Sequence, residues 1–101
     1  MDITVQELKQ KLDNQESFIF IDVREPHEYV DFNIGAKLIP LGTLSDQIID
    51  FEANKNDEIV VHCRSGARSG VAKELFERAG FTNVRNLIGG VLAWAEAFPV
   101  K

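Results

Sequence analysis

The sequence predicts an α/β domain with three layers, and three observations carry that prediction. Short β-branched and aromatic runs alternate with amphipathic stretches along the whole chain. The links between them are short, so successive strands are joined by right-handed crossovers and lie parallel, with helices on the faces. The chain has 101 residues, 45% of them hydrophobic, which suffices for one compact core and is read as a single domain over residues 1–101.

Each element has its own signal. Thr4 followed by Glu7 has the spacing of a capping box, and Val5, Leu8 and Leu12 recur on one face, so residues 5–13 are expected to be helical. Phe18-Ile19-Phe20-Ile21 is too short for a helix and reads as a buried strand. Pro26 sits well at the start of a short helix running to about Asp31. Gly35 breaks the pattern, and Lys37-Leu38-Ile39 is a short strand ending at Pro40. Ser45 is expected to cap a helix carrying Ile48, Ile49 and Phe51, and 54–57 form a polar turn. Glu58-Ile59-Val60-Val61-His62 is the clearest strand. A helix follows with an apolar stripe of Val71, Ala72, Leu75, Phe76 and Ala79, stopped by Gly80. Val84 to Leu87 is the fourth strand, Gly89-Gly90 turns the chain, and Val91, Trp94, Ala95 and Phe98 give a last helix.

Composition narrows the partners. Charged residues make up 27% of the chain, with only three prolines and seven glycines, which excludes disorder and low complexity. A formal net charge of −5 opposes general binding to nucleic acid or an anionic membrane, so neither is expected as a partner. One cysteine allows no internal disulfide, and one cysteine with two histidines offers no metal cluster, so no metal or cofactor is expected. No stretch has the length of a membrane span, and the start lacks a leader pattern; a cytoplasmic, reducing location is the expectation.

In an open parallel sheet, ligands bind beyond the carboxyl ends of the strands. The segment there is Cys63-Arg64-Ser65-Gly66-Ala67-Arg68-Ser69, after the most apolar strand and at the start of a helix. Three effects favour thiolate at Cys63: unsatisfied N–H groups at the helix start, permanent charge on Arg64 and Arg68, and small residues that let the loop curl its amides inward. The bland alternative, a lone cysteine as a small buried hydrophobe, does not explain two arginines and a glycine directly after it.

These residues resemble the active-site loop of the rhodanese family of sulfurtransferases. The resemblance extends to Ile21-Asp22-Val23-Arg24-Glu25-Pro26-His27-Glu28-Tyr29, to Gly35-Ala36 with Ile39-Pro40-Leu41, and to Leu87-Ile88-Gly89-Gly90 with Trp94. It implies a five-stranded parallel sheet in an α/β/α rhodanese-like fold. It also implies that Cys63 takes a sulfane sulfur from thiosulfate or a persulfide donor and passes it, as a persulfide, to cyanide or a thiol. Arg64, Ser65, Gly66, Ala67, Arg68 and Ser69 would bind the small anionic donor. The variant Asn33-Ile34-Gly35-Ala36 resembles domains associated with E1-like adenylyltransferases. Such an enzyme, or a cysteine desulfurase, is therefore an implied protein partner.

Two alternatives stand beside this reading. A cysteine phosphatase loop looks similar but holds one more residue between its cysteine and arginine than Cys63 and Arg68 enclose, and no well-placed general acid is evident upstream. A non-catalytic docking or sulfur-carrier module would have the same fold. Asp22 and Arg24, at the end of a buried strand, are expected to form an ion pair that fixes neighbouring loops near Cys63. His62 should face away from Cys63, since adjacent strand residues point to opposite faces. His27 and Glu28 are expected to be solvated, and Val91, Trp94 and Phe98 to pack in the core.

Overall fold

The computed structural model describes residues 1–99. Helix α1 (Val5–Asp13) starts where expected: the Thr4 hydroxyl accepts the Glu7 N–H at 3.1 Å. Strand β1 (Ile19–Asp22) leads into α2 (Pro26–Asp31), which has proline at its first position. Strand β2 (Lys37–Leu38), helix α3 (Leu41–Gln47) and a 3-10 helix (Ile48–Asn54) precede β3 (Ile59–His62). Helix α4 (Ala67–Arg78), strand β4 (Val84–Asn86) and α5 (Gly90–Ala97) complete the fold. None of the described helices is long and apolar enough to cross a membrane.

The sheet is parallel throughout, in the order β2-β1-β3-β4. It has four strands among the described residues, not the five implied by the resemblance. The edge beyond β4 is occupied by Ile3 alone, which forms an isolated parallel bridge with Leu87. Its N–H reaches Asn86 O at 3.0 Å and its carbonyl takes the Ile88 N–H at 2.9 Å. The chain turns helical at Val5, directly after the Thr4 cap, so the pairing does not continue past Ile3 in that direction.

Alternation along β3 builds the two cores that flank the sheet. Ile59, Val61 and Cys63 join Ile21, Val23, Leu44, Ala72 and Phe76 on the face covered by α3 and α4. Val60 joins Ile3, Val5, Leu8 and Leu87 on the face covered by α1 and α5, where the Trp94 and Phe98 rings pack tilted with centroids 4.8 Å apart. All four β3 residues are buried, as a central parallel strand requires.

Two local expectations need correction. Ser45 lies inside α3 and caps nothing. The helix is entered from Pro40, whose φ of −53° suits a helix start and whose carbonyl takes the Thr43 N–H at 2.9 Å. Val71 is 47% exposed, because Ala72 and Phe76 define the buried face of α4 and Val71 falls beside it.

Candidate active site

Strand β3 carries Cys63 to the carboxyl edge of the sheet, and the chain turns there into α4. The turn is possible because Gly66, at the helix N-cap, adopts φ +114°, a region that side chains with a Cβ rarely enter. This bend brings the Gly66 N–H to 3.1 Å from Cys63 Sγ. One helical turn on, the buried Ser69 hydroxyl lies 3.4 Å from the same sulfur. Burial pushes the Cys63 thiol up, but the Ser69 hydroxyl and the amides of Ser69, Gly66 and Ser65 outweigh it, and the thiol lies below its ordinary range.

Asn86, at the end of β4, holds both donors in place. Its Nδ2 donates to Gly66 O at 3.0 Å, and its Oδ1 accepts the Ser69 hydroxyl at 2.6 Å. The hydroxyl has one proton for two acceptors, so its share to sulfur grows as the sulfur becomes anionic. Helix α5 closes the loop from another side. The Val91 N–H reaches Cys63 O and the Leu92 N–H reaches Arg64 O, each at 3.0 Å. A Cβ at Gly90 would lie 2.5 Å from Arg64 O and 2.6 Å from Cys63 O, so only glycine lets α5 approach this closely.

The structure brings Gly66, Ser69 and the Ser65 amide together around the Cys63 sulfur, while Arg64, Ser65 and Ala67 are themselves exposed. Arg68 faces α2 instead: Nη1 and Nη2 reach Glu28 Oε1 and Oε2 at 2.7 and 2.9 Å. Its charge still acts on Cys63, but the pair with Glu28 leads. The hydrogen bond from Arg68, then that from the Glu25 amide, pull the Glu28 carboxyl down to about 2. Glu28 is thus not the solvated surface residue expected from sequence. Its pairing with Arg68 and the part played by Asn86 leave no local signal in the sequence, because both meet the loop through contacts distant in sequence.

Asp22 and Arg24 form the expected ion pair, with Arg24 Nη2 on Asp22 Oδ2 at 2.8 Å and on Phe32 O at 2.6 Å. The pair ties the end of β1 to the end of α2. His62 lies on the opposite face from Cys63, its ring 5.3 Å from that of Phe20. A cavity of about 490 Å³ opens beside the loop, lined by Arg24, His27, Glu28, Asp31, Phe32 and Arg64 with Val91 and Leu92 of α5.

Comparison with known proteins agrees with this fold. The family model described as the rhodanese-like domain matches residues 4–97. YrkF of Bacillus subtilis, named as a candidate sulfur carrier protein, is 39% identical over 94 residues, covering 92% of this chain. This chain spans only 50% of that protein's length. Thiosulfate sulfurtransferase PspE of Escherichia coli is 39% identical over 71 residues, or 69% of this chain and 68% of PspE. The crystal structure of a rhodanese-like domain protein from Staphylococcus aureus aligns with a TM-score of 0.83 at 38% identity, covering 93% of this chain and 91% of that one.

Proposed function

The chain belongs to the rhodanese-like domain family, and from that premise we propose that it transfers sulfane sulfur through a persulfide on Cys63. The observation that carries this reading is the cradle around one sulfur: the Gly66 N–H at 3.1 Å and the Ser69 hydroxyl at 3.4 Å, with both donors anchored by Asn86. Such donors stabilise an anionic sulfur whether it is the thiolate or the terminal atom of a persulfide.

With thiosulfate, the Cys63 thiolate attacks the outer sulfur. The sulfur–sulfur bond of the donor breaks, sulfite leaves with the electron pair, and Cys63 holds a persulfide anion. Cyanide or a thiolate then attacks the terminal sulfur and leaves with it, restoring the thiolate. Arg64 and the loop amides orient the donor, and no metal or cofactor takes part. A protein acceptor, such as an E1-like adenylyltransferase, or a cysteine desulfurase as donor fits the same cycle in a reducing, cytoplasmic compartment. A phosphatase reading is less supported: the loop encloses only four residues between Cys63 and Arg68, and Arg68 is engaged by Glu28.

The test is intact-protein mass spectrometry after incubation with thiosulfate or a persulfide. A gain of about 32 Da on Cys63, removed by cyanide or dithiothreitol, is expected. Cys63→Ser should show no gain while keeping the parental far-UV circular dichroism. Loading that persists in this variant would refute the mechanism. Loading that no acceptor removes would identify a carrier awaiting a dedicated partner.

A further inference from the structure

The carboxyl edge of the sheet carries three guanidinium groups, and two are already engaged. Arg24 is held by Asp22 and the Phe32 carbonyl. Arg68 gives both terminal nitrogens to Glu28, a two-pronged geometry that is the strongest arrangement for a guanidinium and a carboxylate. Arg64 alone is exposed with no side-chain hydrogen bond among the described residues. The carboxylates of Asp22, Glu28 and Asp31 match the three arginines one for one, so this edge has no excess positive charge, in a chain whose net charge is −5.

We infer that Glu28 sets donor selectivity: by occupying Arg68 it turns the site away from dianionic thiosulfate and toward an organic persulfide. The inference rests on the sulfur-transfer reading above. A dianion approaching a negative protein needs a local surplus of positive charge, and Glu28 offsets the Arg68 guanidinium, whose charge acts on Cys63. The wall of the adjacent cavity offers Phe32, Val91 and Leu92 beside Arg64. Those apolar groups can contact the carbon body of an organic persulfide, and thiosulfate has none. The Glu28 carboxyl is pulled down to about 2, so its charge is present at any working pH. The transfer balances without a further reagent. The Cys63 thiolate attacks the outer sulfur of R–S–SH, the sulfur–sulfur bond breaks, and the thiolate RS⁻ leaves. The proton on the transferred sulfur then passes to RS⁻, giving the Cys63 persulfide anion and RSH.

The experiment compares kcat/KM for thiosulfate, for free cysteine persulfide and for a persulfide carried on a protein cysteine, with cyanide as acceptor. The parental protein is expected to prefer one or both persulfides, and the arm that wins identifies the source. Glu28→Gln keeps Oε1 as acceptor for the Glu25 N–H, which Glu28 takes at 3.0 Å, while removing the negative charge and the Oε2 that holds Arg68 Nη2. It should raise kcat/KM for thiosulfate by about tenfold and shift the persulfide values by less than about threefold. Asp31→Asn removes one negative charge from the same edge and leaves the Glu28–Arg68 pair in place, and should give a clearly smaller rise. Glu28→Asp, which keeps the charge but shortens the reach, should fall between parent and Glu28→Gln, and serves if the latter does not fold. Four results would overturn the inference: a parental preference for thiosulfate over both persulfides, equal gains from Glu28→Gln and Asp31→Asn, no gain at all, or a parallel fall with every donor. Absence of loading from any donor would overturn the sulfur-transfer reading as well, and is recognisable because the parental protein itself would be inactive.

Discussion

Ser69 determines how much of the Cys63 thiol is ionised, because its hydroxyl is the leading donor that opposes burial at that sulfur. It is fully buried, and its oxygen lies within reach of Sγ and of Asn86 Oδ1 at once. Ser69→Ala removes the hydroxyl without creating a large void, while the amides of Gly66 and Ser65 remain. The Cys63 pKa should therefore rise, because a hydrogen bond to the charged sulfur is lost. The pH dependence of alkylation by iodoacetamide reads this directly, since only the thiolate reacts. An unshifted profile would mean that the hydroxyl proton stays on Asn86 and the amides alone hold the sulfur.

At the scale of elements, the loop depends on how closely α5 approaches it. Gly90 has φ +58°, and a methyl group there would meet the backbone oxygens of Cys63 and Arg64. Gly90→Ala should cost about 3 kcal/mol, combining left-handed strain with forced movement of the loop. Gly42, in α3, has open space around its Cβ position and an exposed site, so Gly42→Ala should be neutral or gain up to about 1 kcal/mol. Urea unfolding of the two variants tests the contrast, and equal effects would remove the argument for close approach. The contrast also indicates what the sequence could convey. Thr4, Pro26 and the four apolar runs encode their elements through local spacing, and the cysteine loop is legible for the same reason. The Ile3–Leu87 bridge has no period to read, since it is one residue long. The Arg68–Glu28 pair spans 40 positions, and Asn86 meets Gly66 across 20, so neither leaves a local pattern. Ser45 misled because a good capping residue also occurs within helices.

For the whole molecule, the groups shifted by folding separate its acid response into two windows. Asp2, Glu28 and Glu58 are lowered in the folded state. They add stability above the usual carboxylate range and lose it as pH falls below it, toward about 2 for Glu28. His62 acts earlier. It is completely buried, and its Nε2 has no hydrogen-bond partner. Burial pushes its pKa below the ordinary 6.5, against the pull of Asp22 at 3.7 Å, and Arg24 adds to the lowering. The folded chain therefore keeps His62 neutral where the unfolded chain protonates it. The unfolded state binds the extra proton, so stability falls as pH drops below 6.5. The slope approaches about 1.4 kcal/mol per pH unit. His62→Leu puts an apolar side chain of similar size beside Phe20 and should flatten this slope, with stability at pH 7 within about 1.5 kcal/mol of the parent. Urea midpoints at about pH 7 and 5.5, above the carboxylate window, isolate the effect. Equal losses in parent and variant between those two pH values would assign the early acid sensitivity to groups other than His62.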